Sequence, residues 1–220
     1  MINIWTIIKV SLELEVYHHL YPILLYKFLQ QTLIYPGASP RLSMKRYVLT
    51  GGPGSGKSTL ILSLELSGEY VTKEGATDYI QACHKKGIEK PWMMEDFQLR
   101  ILEICLEREA NIPPSIERVF HDRGIPDGLA YQAPGTEIYR KIQAAAARSS
   151  YDTIFLVGLL DTVETNKIRR ENEEDAKRLE DKFMQIYREH GYEPVFIGKG
   201  TVEERVSEIK RYLSNHYKES

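Results

Sequence analysis

At 220 residues, with 42% hydrophobic and 27% charged side chains, the chain has the length and mix of one α/β domain with a real core. A formal net charge of -2 leaves no basic excess, so bulk nucleic-acid binding is excluded as its main role and no nucleic-acid partner is expected. Its two cysteines, Cys83 and Cys105, lack C-x-x-C spacing and read as reduced thiols of a cytoplasmic protein, not as a disulfide or metal site.

In chain order, residues 1–43 differ from everything after them. Met1 to Tyr35 is rich in Ile, Leu and Tyr, and Pro36-Gly-Ala-Ser-Pro40 breaks it. No positive segment precedes the apolar part, and Glu13 and Glu15 interrupt it, which argues against a signal peptide. Val16 to Tyr35 has the length of a bilayer span, but Pro22 and Lys27 sit inside it. Two readings remain. Residues 1–35 form a membrane-surface helix, or the segment is an upstream extension and translation starts at Met44. The second is preferred, so the expected division is an extension over 1–43 and a P-loop NTPase domain over 44–220.

From Met44 the pattern alternates strand and helix, which predicts an α/β fold with a mostly parallel five-stranded sheet covered on both faces. The first strand, Tyr47–Thr50, runs into Gly51-Gly-Pro-Gly-Ser-Gly-Lys-Ser58, which fits G-x-x-x-x-G-K-[ST] at every fixed position. The glycines let successive N–H groups face one anion, and the helix over Ser58–Leu66 aims its positive end there. Gly52, Pro53, Gly54, Ser55, Gly56, Lys57, Ser58 and Thr59 thus form a cradle for ATP, with GTP not excluded. Lys57 reaches the β- and γ-phosphates and the Ser58 hydroxyl ligates Mg²⁺. The chain is expected to bind a nucleoside triphosphate.

Tyr70–Thr72 reads as the second strand, followed by helices over Ala76–His84 and Met94–Arg108. The latter carries Phe97, Ile101, Leu102 and Cys105 on one stripe. Ile116–His121 is the third strand, delivered to Asp122. A helix over Glu137–Ala147, a fully apolar strand Thr153–Val157, a long charged helix over Asn172–His190 and a last strand Val195–Ile197 follow. Thr201-Val-Glu-Glu204 is a capping box that opens the C-terminal helix.

Three further groups carry chemistry. Asp122, at the carboxyl end of a buried strand, stands where a P-loop fold places its second Mg²⁺-holding carboxylate, and Arg123 offers a planar cation to phosphate oxygens. His121 beside them reads as a strand residue. Glu74, just past the second strand, opens onto the same crevice. It could accept the proton of an acceptor hydroxyl, bind the acceptor's polar groups, or serve only the N-terminus of the next helix. Arg169 and Arg170, after the fourth strand, could close over the triphosphate, or could belong to a solvated helix end. Asn166-Lys167 suggests the guanine-reading N-K-x-D, but Arg169 stands where the Asp is needed.

The order P-loop, Glu74, Asp122-Arg-Gly-x-x-Asp127-x-x-Ala-Tyr131, Arg169-x-Glu171 and Tyr187-x-x-x-Gly-Tyr192 resembles the NadR-like AAA-domain family of small P-loop ATPases and kinases. The match runs from Met44 to about Tyr212, and the family includes ribosylnicotinamide-kinase domains. Separately, Asp122-Arg123 with Leu129-Ala-Tyr-Gln132 resembles a block of thymidylate kinases that lines the acceptor pocket. That resemblance implies acceptor contacts for Arg123, Asp127, Tyr131 and Gln132. Lys73-Glu-Gly75 replaces the thymidylate-kinase Arg-Glu-Pro, which counts against thymidylate as substrate. The placement of Glu74 is closer to nucleoside kinases, where the equivalent carboxylate acts as base. The expected function is a Mg²⁺-dependent kinase that moves the γ-phosphoryl of ATP to a nucleoside- or nucleotide-like small molecule. A regulatory nucleotide switch without an acceptor is the alternative.

Overall fold

The strands are short, apolar and bounded by Gly, Asp or Lys, and none is joined to the next by a tight hairpin turn. That pattern demands crossover helices and hence parallel pairing. The computed structural model describes residues 44–160 and 167–217, with 167–173 described by their helix alone. The predicted extension over 1–43 lies outside the described residues, as do the side chains of Arg169 and Arg170.

The strands are β1 (Lys45–Thr50), β2 (Tyr70–Thr72), β3 (Arg118–Asp122), β4 (Thr153–Val157) and β5 (Val195–Ile197). They form one sheet in the order β2-β3-β1-β4-β5, and every pairing is parallel. From β1 the chain goes to β2 at one edge, returns to β3 beside β1, and then crosses β1 to β4 and β5, so the connections leaving β1 and β3 run in opposite directions. In open parallel sheets the crevice beyond the carboxyl ends of the strands at such a point is the ligand site. The helices are α1 (Lys57–Leu66), α2 (Gly75–Lys85), α3 (Phe97–Ala110), α4 (Glu137–Ala146), α5 (Lys167–Glu189) and α6 (Val202–His216).

Alternation along the strands divides the core into two layers. Tyr47, Leu49, Phe120, Phe155 and Ile197 pack with Leu60 and Leu64 of α1 and Ile209 and Leu213 of α6. On the other face Leu156 packs with Leu102 of α3, Ile142 of α4 and Phe183 and Ile186 of α5. All five residues of β4 are buried, as covering both faces requires. The Thr201–Glu204 capping box forms as the sequence predicts: Glu204 N donates to Thr201 Oγ1 at 3.2 Å and Thr201 N to Glu204 Oε2 at 2.8 Å.

Many element ends differ from expectation by one to three residues, and three differences have a physical reason that bears on the site. β3 runs to Asp122 because Leu49 of β1 continues the register to that residue. α5 begins at Lys167, five residues before the expected Asn172, since no Gly or Pro stands in that interval to stop a helix. Ile125–Tyr131 forms a 3₁₀ turn that periodicity does not reveal, with Pro126 at its start and Gly128 inside it. This turn carries Asp127 and Tyr131.

Candidate active site

The loop between β1 and α1 needs its glycines. A Cβ on Gly51 would fall 2.4 Å from the Val157 carbonyl of β4, and Gly54 and Gly56 hold φ of 77° and 80°. Gly56 caps α1 with no side chain, so the first N–H groups of the helix stay open to an anion. Lys57 is only 7% exposed. Its ammonium folds onto the loop, donating to Gly51 O at 2.8 Å, Gly52 O at 3.1 Å and Ser55 Oγ at 3.3 Å. Burial first, then the Arg123 charge, lowers its pKa to about 8. Pro53, Gly54, Ser58 and Thr59 lie exposed around the same hollow.

Asp122 ends β3 with its Oδ1 buried and without a hydrogen-bond partner. Burial and the neighbouring Glu74 carboxylate push its pKa up to about 6. A carboxylate oxygen left in that state suits a hard divalent cation, which takes oxygen ligands and neutralises the charge that burial penalises. Among the described residues no three His, Cys, Asp or Glu side chains form a metal cluster. Mg²⁺ needs none, because one or two protein oxygens with phosphate and water complete its shell.

Arg123 follows in the left-handed region, at φ 71°, with its N–H donating to Leu49 O at 3.0 Å. A non-glycine residue held there marks a position that its surroundings over-determine. The guanidinium donates from Nε to Glu74 Oε1 at 2.6 Å and from Nη1 to Asp127 Oδ1 at 3.1 Å. It also lies 5.9 Å from the Tyr131 ring centroid and 5.3 Å from that of Phe183. Burial works against its charge, but Asp127, Tyr131 and Glu74 raise its pKa above the ordinary arginine value.

Glu74 occupies the N-cap position of α2 but makes no side-chain cap bond. It turns to Arg123 and accepts from Thr77 Oγ1 at 2.8 Å. Burial pulls its pKa upward, yet Arg123 and Thr77 together hold it below the usual carboxylate range, so it stays ionised. It is a permanent hydrogen-bond acceptor more than a strong base.

Asp127, read from the sequence as an acceptor contact, lines the cavity described below but spends its hydrogen bonds inside the protein. It is 2% exposed and all its bonding capacity faces inward. Oδ1 accepts from Thr50 Oγ1 and Arg123, and Oδ2 accepts from Gly124 N at 2.9 Å and from the Tyr187 hydroxyl. A carboxylate has about four lone-pair sites, and here four donors fill them. Its task is to hold the Arg123–Gly124 turn. Tyr187 enters the sequence reading only through the Tyr187-x-x-x-Gly-Tyr192 resemblance, and nothing in the sequence pairs its hydroxyl with Asp127.

Tyr131 and Gln132 line a cavity of about 430 Å³ whose walls carry the charges that act on Lys57 of the P-loop. Glu74, Asp122 and Arg123 stand among its polar lining, and Trp92, Phe97 and Ile101 among its apolar lining. Cys105 also lines it, but burial pushes its thiol up to about 12, so it is no nucleophile. His121 sits in β3 with Nδ1 against Thr72 Oγ1 at 2.8 Å, and burial lowers its pKa to about 3. It is a neutral strand residue, as the sequence reading has it.

A family model described as an AAA domain matches residues 46–205, most of the chain. The chain belongs to this AAA-domain family. No curated protein matches it significantly in sequence. Its structure is similar to that of NadR protein in complex with NR, at 19% identity and TM-score 0.62, over 80% of this chain and 52% of NadR. The chain therefore spans about half the length of that relative. It is also similar to thymidylate kinase from Ehrlichia chaffeensis (17% identity, TM-score 0.54, 77% of this chain and 98% of that one). Shikimate kinase from Acinetobacter baumannii in complex with shikimate matches at 17% identity and TM-score 0.50, over 81% of this chain and 97% of that one. These likenesses give this AAA-domain protein the fold of P-loop kinases. None of its described helices is long and apolar enough to cross a membrane.

Proposed function

We propose that the chain is a Mg²⁺-dependent kinase that transfers the γ-phosphoryl group of ATP to a hydroxyl of an uncharged, nucleoside-sized acceptor. One observation carries this reading. A cavity of about 430 Å³ is lined by Glu74, Asp122 and Arg123, the same charges that act on Lys57 of the P-loop. A nucleotide switch needs no such acceptor cavity.

Each residue then has a task. Lys57 exchanges the carbonyls of Gly51 and Gly52 for phosphate oxygens, and regains the charge stability that burial takes from it. Ser58 and Asp122 would hold Mg²⁺, which supplies charge neutralisation on the phosphates when bound. Ionised Glu74 accepts the hydrogen bond of the acceptor hydroxyl and aligns its oxygen. A loose phosphoryl-transfer transition state asks more for positioning than for basicity, so a lowered pKa does not disqualify it. Arg123 faces the transferring group, and Arg169 and Arg170 remain candidates to close over it.

The charge around the cavity narrows the acceptor. Among its described lining residues three carboxylates stand against one guanidinium, and that guanidinium is already paired to two of them. A phosphorylated or carboxylated acceptor would meet repulsion without a free cation to offset it. The fold neighbours include kinases named for thymidylate and shikimate, so the fold does not choose among acceptors.

The test is acceptor-dependent ADP release from ATP against a panel of nucleosides, nucleoside monophosphates and sugar alcohols. Neutral nucleosides should stimulate turnover more than their monophosphates. Glu74→Gln removes the charged acceptor that aligns the hydroxyl and should lower that stimulation by about 10²-fold, the scale of a misaligned attack, with ATP affinity nearly unchanged. ATP hydrolysis that no acceptor stimulates would favour the regulatory switch.

A further inference from the structure

Arg205 lies in the first turn of α6, 2% exposed, with no carboxylate in ion-pairing contact among the described residues. A buried charge is costly unless its hydrogen bonds are met; here main-chain carbonyls meet those of Nη1 and Nη2, and Nε stays buried without a partner. Nη1 donates to Ser55 O at 2.7 Å and Nη2 to Gly158 O at 3.0 Å. Ser55 belongs to the P-loop, and Gly158 follows β4. Nη1 also stands 3.3 Å from where a Cβ on Gly56 would be, so the guanidinium backs directly onto the residue that caps α1.

We infer that Arg205 is a positioning residue for the polyphosphate of the nucleotide, clamping the back of the P-loop to the end of β4. A peptide unit is planar and trans, so its C=O and the next N–H point opposite ways. Holding the Ser55 carbonyl outward turns the Gly56 N–H toward the hollow of the loop. The same bond polarises that peptide unit and strengthens its N–H as a donor to an anion. Lys57 approaches the hollow from its inner side and ties the carbonyls of Gly51 and Gly52, so the two cations fix different halves of one loop.

The inference rests on the reading of the P-loop as a polyphosphate site, and titration of the full chain with ADP and AMP separates the two. Wild type should bind ADP well and AMP weakly, since AMP has no β-phosphate for the loop; failure of wild type to bind ADP overturns both readings. Arg205→Gln should raise the ADP dissociation constant by about tenfold or more, the effect of losing a charge-assisted hydrogen bond. AMP binding should change far less. Arg205→Lys keeps the charge but cannot hold both carbonyls in one fork, so its loss should be intermediate. It also carries the test if Arg205→Gln does not fold. Unchanged ADP affinity in a folded variant, or equal losses for ADP and AMP, would reduce Arg205 to a packing role and overturn the inference.

Discussion

Asp127→Asn separates a scaffold from a ligand contact, and its cost can be worked from the bonds it breaks. The carboxylate accepts four donors from β1, the Arg123 turn and α5 at 2% exposure. An Asn keeps the shape but turns one oxygen into a donor. If its NH₂ takes the Oδ2 place it faces the Gly124 N–H, which cannot rotate away; in the Oδ1 place it faces the Arg123 guanidinium. Either arrangement leaves a buried donor unmet and removes one member of a buried ion pair, a change that costs about 3–5 kcal/mol. For a domain of this size each kcal/mol moves Tm by about 2–4 °C, so a fall of about 6–20 °C is expected. Thermal unfolding followed by circular dichroism, with a urea titration at 25 °C, measures it. Turnover should fall as well, because Arg123 loses one of the two carboxylates that aim it. A loss of stability below about 1 kcal/mol with a raised KM for the acceptor alone would refute the scaffold role and restore Asp127 as a substrate contact.

Lys57→Ala should abolish turnover, by roughly 10²-fold or more, while the fold survives, because the ammonium bonds only to its own loop; wild-type turnover in the purified variant would remove the P-loop from the mechanism. Asp122→Asn should raise the Mg²⁺ concentration for half-maximal activity by about tenfold or more and change metal-free nucleotide binding little, so a superimposable Mg²⁺ curve would end its metal role. Nucleotide affinity should fall as pH rises above about 8. The free-state pKa of Lys57 is lowered to about 8, the bound triphosphate favours the charged form, and affinity is therefore full below that value and lost above it; titrations at pH 7 and 9 check the sign. A chain beginning at Met44 should bind nucleotide as tightly as the full chain, since residues 43–220 form a compact unit with their own core; matched affinity and melting measurements decide it.

The P-loop and the sheet were legible because their signals are local. Gly51 to Ser58 needs glycine where backbone meets Val157, and β4 is apolar throughout because both its faces are covered. Asp122 was legible for a similar reason: it ends a strand, and strand ends where the connections reverse, at β1 and β3, open onto the crevice. What the sequence hid depends on contacts between distant residues. Nothing near Asp127 says that Tyr187, 60 positions later, delivers a hydroxyl to it. Nothing near Arg205 says that the Ser55 carbonyl, 150 positions earlier, accepts its hydrogen bond. A buried tyrosine and a buried arginine on amphipathic helices look like a core position and a solvated face until the sheet brings them under the loops.

The ion pair between Glu74 and Arg123 gives the strongest physical reason to prefer an acceptor over a water molecule. Two charges mostly withdrawn from solvent are stable only while each keeps its partners, and Arg123 has two carboxylates and two aromatic faces to hold it. Glu74 has only Arg123 and Thr77, and it lines the cavity. It is the partner with bonding capacity to spare, so an incoming hydroxyl can add to it without releasing Arg123. Water could make that bond too, but water alone would leave the apolar wall of Phe97, Ile101 and Trp92 wetted. Removing that wall from water is favourable in proportion to the area covered, and only a molecule with an apolar ring or face does so while presenting a hydroxyl to Glu74. Binding energy from the wall can then hold the hydroxyl oxygen in line with the phosphate, which is the use an acceptor cavity has in phosphoryl transfer.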